Sequence, residues 1–214
     1  MNERRNIKYF FSVEGETESL YLEHLKKLIL AQDFRIANPV IRVEKLSPLK
    51  VVKKLSLLQS CIITSFFDVE DDANHKQHFE NILKEMKQAE KLGKSIKYEL
   101  AYSNIDFELW IILHKKDLFG NVGSKAQYLK SINQIFGTKF EALREYKTER
   151  NFSQILSKIT LDDVKAAIAR AEKITKQRMS EGNPIRTCGY EWFDKNPALS
   201  VHNVVKKILS ECGV

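Results

Sequence analysis

The chain has 214 residues, of which 43% are hydrophobic and 29% charged, so it is long enough for one large globular domain or for a domain with an insertion. No apolar stretch is long enough to cross a bilayer, and the first residues lack the apolar core of a signal peptide, so we expect a cytoplasmic protein without membrane contact. Lys and Arg outnumber Asp and Glu by 35 to 28, a net charge of +7, which favours a nucleic-acid partner but also fits an ordinary soluble surface.

The first half of the chain alternates between predicted strands and predicted helices. Apolar runs rich in β-branched and aromatic residues predict strands at residues 7–13, 39–46, 61–67 and 95–102. Helical spacing of apolar residues, with breakers between, predicts helices at residues 17–31, 48–58, 75–92 and 107–114. This order predicts an α/β fold with a doubly wound, mainly parallel sheet.

Helical spacing dominates the second half of the chain. Apolar residues recur with a period of 3.6 at residues 128–136, 140–146, 152–159 and 161–179, and a last helix is predicted at residues 199–210. We therefore expect an α/β core over residues 1–119 and a helical insertion or cap over residues 120–182. Residues 183–214 form a C-terminal segment that returns to the core.

Two acidic clusters directly follow predicted strands. Residues 14–18 (Glu-Gly-Glu-Thr-Glu) follow the first strand, and residues 68–72 (Asp-Val-Glu-Asp-Asp) follow the third. Carboxylates at such strand ends lie in the crevice where open α/β sheets bind ligands, and a hard cation such as Mg²⁺ would relieve the repulsion between them. Each cluster alone also fits a helix start or a solvated acidic loop, but their joint occurrence favours a metal site for phosphate chemistry.

Four motifs, in their order along the chain, resemble the RloB-like family of the TOPRIM superfamily. They are residues 14–18, residues 67–70 (Phe-Asp-Val-Glu), residues 103–110 (Ser-Asn-Ile-Asp-Phe-Glu-Leu-Trp) with His114, and residues 196–202 (Asn-Pro-Ala-Leu-Ser-Val-His). The resemblance implies a TOPRIM-like fold that binds Mg²⁺ (or Mn²⁺) and cleaves phosphodiester bonds. It also implies a role in bacterial anti-phage defence.

The resemblance assigns roles to the carboxylates of both acidic clusters. Glu14 corresponds to the single glutamate of the TOPRIM pattern, and Asp68 to the first aspartate of its Asp-x-Asp pair. The second position of that pair is Glu70, which departs from the pattern because its extra methylene moves the carboxylate outward. Asp72 lies two residues further on and could take its place. We expect Glu14 and Asp68 to hold one Mg²⁺, with Glu70 or Asp72 completing the site or holding a second ion.

Further residues are candidates for catalysis or for substrate binding. Glu14 is also a candidate general acid or base, Glu108 interrupts an apolar helix, and His202 could reach phosphate. Pairing with a buried base is the alternative for Glu108, and a lone histidine such as His202 is more often structural. Lys147 and Arg150 are candidate nucleic-acid contacts, although an amphipathic cap would place most basic residues of this region in water.

The leading hypothesis is a Mg²⁺-dependent nuclease that acts on RNA or DNA in anti-phage defence by abortive infection. Such an enzyme should stay idle until infection, so we expect an activator or a defence-system partner. One alternative is a non-catalytic nucleic-acid-binding or adaptor subunit with a weakened metal site. The glutamate at position 70, in place of an aspartate, supports this alternative. Another alternative is a nucleotide phosphatase. The lack of a P-loop or Rossmann fingerprint in the sequence argues against it.

Overall fold

The computed structural model describes residues 4–55, 60–69, 73–92, 95–118 and 124–214, and it has an α/β fold. The described strands are β1 (Arg5–Val13), β2 (Ala37–Glu44), β3 (Cys61–Asp68), β4 (Ile96–Asn104), β5 (Ile185–Thr187), β6 (Tyr190–Trp192) and β7 (Ala198–Leu199). The described helices are α1 (Glu16–Leu30), α2 (Pro48–Lys54), α3 (Ala73–Ala89), α4 (Glu108–Leu113), α5 (Lys125–Phe136), α6 (Leu143–Tyr146), α7 (Glu149–Leu156), α8 (Leu161–Glu181) and α9 (Val201–Cys212). The α/β class and the four strands predicted in the first half are confirmed.

The main sheet has the strand order β2-β1-β3-β4-β7. β1 to β4 are parallel to their neighbours, whereas β7 pairs antiparallel with the last two residues of β4, so the sheet is mixed. β5 and β6 form a separate antiparallel hairpin. The predictions missed β5, β6 and β7 because each has only two or three residues, too few for a periodic pattern.

Hydrophobic residues cover both faces of the sheet, as the continuous apolar run of β3 indicates. Phe66 contributes to a cluster with α1, α4 and the helices of the second half, whereas Phe67 contributes to a second cluster with α2 and α3. The first cluster continues without a break into α5, α7, α8 and α9. Among the described residues, no helix is both long and apolar enough to span a membrane.

Local sequence signals explain where the long helices begin and end. The Thr160 hydroxyl accepts from the Asp163 main-chain N–H (3.3 Å), and the Asp163 carboxylate accepts from the Thr160 N–H (2.8 Å), which caps α8. α5 ends at Gly137, whose φ of +66° is strained for any residue with a Cβ.

The join between β1 and β3 is the shortest seam among the long strands. β1 is in register with β2 over eight residue pairs and β3 with β4 over eight, but β1 and β3 share only four pairs, from Phe10–Ile63 to Val13–Phe66. The carboxyl end of β1 therefore pairs with the middle of β3, and the amino halves of the two strands are not paired with each other. A groove of about 1100 Å³ lies at their amino halves, with Lys8, Ile62 and Lys207 in its lining.

Candidate functional site: an acidic cluster at the carboxyl edge of the sheet

Three parallel strands each place a carboxylate at the same edge of the sheet. Glu14 follows the last residue of β1, Asp68 is the last residue of β3, and Asp106 lies two residues beyond β4. The Asp68 main-chain N–H points to Glu14 Oε2 over 3.5 Å, so the first two strand ends are adjacent. This edge is where open α/β sheets bind ligands.

Glu18, in the first turn of α1, adds a buried carboxylate to this edge. Its Oε2 accepts from the Gly15 main-chain N–H and from the Thr17 hydroxyl, each at 3.1 Å. A Cβ at residue 15 would lie 3.1 Å from the same oxygen, so glycine leaves room for the carboxylate to fold back over the helix start. Helix N-termini favour such negative charge.

Two lysines from the second half of the chain reach the cluster. Lys147 Nζ lies 3.1 Å from Asp106 Oδ1 and 3.3 Å from Glu108 Oε1, and Lys125 Nζ lies 3.3 Å from Asp106 Oδ2. Glu108 is fully buried, and among the described residues it interacts with the Lys147 ammonium group and with the carboxyl group of Asp106. We call Glu14, Glu18, Asp68, Asp106 and Glu108, with Lys125 and Lys147, the acidic cluster.

Burial and mutual repulsion divide the carboxylates of the acidic cluster into two kinds. Burial, followed by the charge of Asp106, raises the pKa of Asp68 and of Glu108 well above the usual range. Burial also raises the pKa of Glu18, to about 6. Asp106 differs because a hydrogen bond from the Glu108 carboxyl group, together with the charges of the two lysines, outweighs its burial and lowers its pKa. Asp106 is therefore the carboxylate most firmly held as an anion.

Lys147 stays protonated because the charges of Glu108 and Asp106 outweigh its burial and raise its pKa. The acidic cluster therefore brings five carboxyl groups and two ammonium groups together at a partly buried site. A bound cation would favour the ionised form of the carboxyl groups whose pKa is raised.

Comparison with protein-family models supplies one match, to the RloB-like protein family, over residues 9–208. The chain belongs to the RloB-like family. The matched range includes every member of the acidic cluster. Comparisons with curated proteins and with solved structures find no match.

The acidic cluster of this RloB-like protein fits a hard cation in its donor chemistry. Carboxylate oxygens are the ligands that Mg²⁺ prefers, and bound positive charge would lower the raised pKa of Asp68 and of Glu108. As the side chains stand, however, the described residues include no group of three or more His, Cys, Asp or Glu arranged around a metal position. Lys147 lies between two of the carboxylates, and the expected ligands Glu70 and Asp72 are outside the described residues.

The other predicted residues of this RloB-like protein lie at several places. Glu108 and Lys147 meet in the acidic cluster, so Lys147 contacts carboxylates there. Arg150 is exposed on α7. His202 is buried in α9, where burial lowers its pKa to about 4; the charges that act on it are Glu172 and Lys206, outside the acidic cluster. The catalytic role of His202 therefore stays a prediction, and no described contact joins this residue to the acidic cluster.

Three members of the acidic cluster were not predicted as site residues. Asp106 follows the fourth strand in the same way that Asp68 ends the third, so the strand-end pattern could have identified it. Glu18 resembles an ordinary acidic residue in a first helical turn, and only its burial distinguishes it. Lys125 carries no local signal, because its contact with Asp106 depends on how α5 packs on the core.

Proposed function

We propose that this RloB-like protein is a Mg²⁺-dependent nuclease that cleaves phosphodiester bonds of RNA or DNA. The observation that carries the proposal is the convergence of Glu14, Asp68 and Asp106 at the carboxyl edge of three parallel strands, beside two lysines. A TOPRIM-like, doubly wound arrangement of the α/β fold, which the family resemblance implies, is part of the same proposal. Mg²⁺ (or Mn²⁺) is its cofactor.

Each residue of the acidic cluster has a proposed task. Glu14, Asp68 and Asp106 hold the cation. When bound, the cation supplies polarisation of the phosphate oxygens and a bound water of lowered pKa. Glu14 is the exposed member, so it is also placed to exchange a proton with a nucleophile or leaving group at solvent. Glu70 and Asp72 remain candidate ligands outside the described residues.

A polymeric anion is the proposed substrate. Lys125 and Lys147 lie at the acidic cluster, and Arg150 is exposed on the neighbouring α7, so basic groups are available next to the carboxylates. Lys and Arg bind phosphates of either nucleic acid without reading the sequence. The net charge of +7 adds long-range attraction.

The biological setting is proposed from the family resemblance. A nuclease of anti-phage defence acts in the bacterial cytoplasm and stays idle until an activator or partner releases it. The ion pairs of Lys147 with Asp106 and Glu108 are compatible with an idle state, because they neutralise carboxylates that would face the cation.

A second function, a non-catalytic nucleic-acid-binding or adaptor subunit, is favoured by one specific observation. Lys147 pairs with both Asp106 and Glu108, as expected of a site that has replaced its cation with a lysine side chain. Metal binding separates the two functions.

The test is cleavage of labelled tRNA, single-stranded DNA and plasmid by the purified protein with Mg²⁺, with Mn²⁺ and with EDTA. Glu14→Gln, Asp68→Asn and Asp106→Asn are compared with Glu16→Gln, a control that changes an exposed carboxylate two residues from Glu14. We expect metal-dependent cleavage that falls by about a hundredfold or more in the three site variants, the range lost when charge stabilisation at a reacting group is removed, and persists in Glu16→Gln.

Two other outcomes would change the proposal. Absence of cleavage together with absence of metal binding in calorimetry favours the adaptor function. Cleavage that survives in all three variants places the active centre elsewhere in the chain.

A further inference from the structure

A second pocket, separate from the acidic cluster, lies between the carboxyl end of α8, the β5–β6 hairpin and the start of α9. Its volume is about 360 Å³, within the range of small-molecule sites. Much of its lining is apolar or aromatic, including Met179, Tyr190, Phe193 and Leu199. Arg178 of α8 also lines it.

Arg178 is an unusual residue for such a wall. It is only 4% exposed, and its single described partner is Glu181, whose Oε1 accepts from Nη2 at 3.0 Å. Nε and Nη1 have no hydrogen-bond partner among the described residues. Burying a charged group with open donors is costly, so native proteins pair such groups unless a ligand completes them.

The carboxylates near Arg178 are shared with other cations. Glu181 accepts from Lys195 Nζ at 2.6 Å and from Gln177 Nε2 at 3.0 Å besides its bond with Arg178. Glu191, which also lines the pocket, is paired with Arg186. The described groups around the pocket therefore compensate the positive charge of Arg178 only in part.

We propose that this pocket binds a small organic oxyanion, a carboxylate or phosphate group attached to an apolar or aromatic body. The oxyanion accepts from the open donors of Arg178, since the guanidinium group matches the geometry of both anions. The apolar body lies against Tyr190, Phe193 and Met179. The pocket does not depend on the nuclease proposal, because it shares no residue with the acidic cluster.

Nuclear magnetic resonance of the full ¹⁵N-labelled chain tests this proposal, with phenyl phosphate, benzoate and neutral phenol as probes. We expect both anions to shift the amide signals of Tyr190, Glu191 and Phe193, and phenol to bind about tenfold more weakly or worse, because one charge-assisted hydrogen bond is worth that factor. The stronger of the two anions shows whether the natural ligand carries a phosphate or a carboxylate.

The variant Arg178→Met separates a ligand-binding arginine from a structural one. It should weaken both anions by about tenfold or more while phenol is unaffected, and the ligand-free variant should melt at the same temperature as the wild type or higher. Lys173→Met, at an exposed position of α8 outside the pocket lining, is the control and should bind all three probes normally.

Two results would overturn the proposal: no shift with either anion at millimolar concentration, or equal anion binding by Arg178→Met and the wild type. A lower melting temperature of the variant beside the first result would show that Arg178 is structural. If Arg178→Met does not fold, Asn203→Trp adds bulk to the pocket from α9 and leaves the arginine in the sequence. Unchanged anion binding by Asn203→Trp would then contradict it.

Discussion

Lys147 contacts two carboxylates that the sheet and α4 bring together. It lies within 3.3 Å of both Asp106 and Glu108, and it is the residue that neutralises most of the buried charge of the acidic cluster. A cation at this edge and the ammonium group of Lys147 therefore stabilise the same carboxylates.

Replacing Lys147 by methionine should make the protein depend on a divalent cation for stability. The free energy of unfolding should fall by about 1–3 kcal/mol without metal, less than the full cost of breaking a buried pair because the lysine side chain is 36% exposed. Mg²⁺ should then raise the melting temperature of Lys147→Met more than that of the wild type. The control is Lys139→Met, an exposed lysine of the same region. An equal Mg²⁺ effect on all three proteins would contradict competition between lysine and metal.

The buried His202 should make stability depend on pH. Burial lowers its pKa from 6.5 to about 4. The unfolded chain therefore binds a proton at this residue near pH 6.5, whereas the folded protein binds it only near pH 4. Stability present at pH 7 is therefore lost as the pH falls through this window. Urea unfolding of His202→Gln should show a loss between pH 7 and pH 5 that is smaller by about 2 kcal/mol. His78→Gln, at an exposed position, should match the wild type; identical slopes for all three proteins would refute the expectation.

At the scale of elements, the strands of the first half could be predicted because their hydrophobic patterns are long enough to recognise: β3 is a run buried on both faces, and β2 alternates between buried and more accessible residues. The hairpin and β7 could not, since their positions depend on hydrogen bonds to distant residues. Asn104 illustrates this: its Nδ2 donates to the carbonyls of Phe193 (3.2 Å) and Asp194 (2.6 Å), about 90 residues further along the chain. Asn104 thereby links the segment after β6 to the strand end that precedes Asp106.

Asn104→Ala should loosen that link. Two partly buried carbonyls lose their donor, which should lower the free energy of unfolding by about 1–2 kcal/mol. Limited proteolysis should cut the variant faster between residues 183 and 197, because the hairpin segment loses its anchor to β4. Asn81→Ala, on the exposed face of α3, is the control. Cleavage at the wild-type rate would show that β7 alone holds the segment.

At the scale of the whole molecule, the same hydrophobic cluster joins the sheet, the helices of residues 125–181 and α9. The predicted division into core, helical cap and C-terminal segment describes the order of elements along the chain, but packing crosses both boundaries. Val205 and Ile208 of α9 are fully buried in the cluster that also contains Phe11 of β1 and Leu22 of α1.

A chain that ends at residue 182 should therefore lose cooperative unfolding, because removal of α9 and β7 exposes one side of the larger hydrophobic cluster. Calorimetry should show a broad transition or none. Lys206→Ala, which removes only an exposed ion pair of α9, should keep a sharp transition. A sharp transition in the shortened chain would show that residues 1–182 fold independently.

The acidic cluster could be predicted only in part, because some of its contacts depend on how the whole chain packs. Glu14 and Asp68 follow strands that are recognisable from the sequence, so their meeting follows from the parallel sheet. Lys147 was predicted to contact nucleic acid because its neighbours in sequence are basic and aromatic, and its contact with Asp106, 41 residues away, depends on tertiary packing. A pattern of local charge does not reveal such a partner.

The four-pair seam between β1 and β3 has a mechanical consequence. Glu14 follows the β1–β2 pair and Asp68 ends the β3–β4 pair, and each of these strand pairs is in register over eight residue pairs. Because β1 and β3 share only four residue pairs, we expect each strand pair to move as a stiff plate and the β1–β3 joint to be the more flexible connection. The spacing of these two carboxylates is set across that joint. A small rotation of one plate about the seam would open or close the groove at the amino halves and change the carboxylate spacing at the opposite edge.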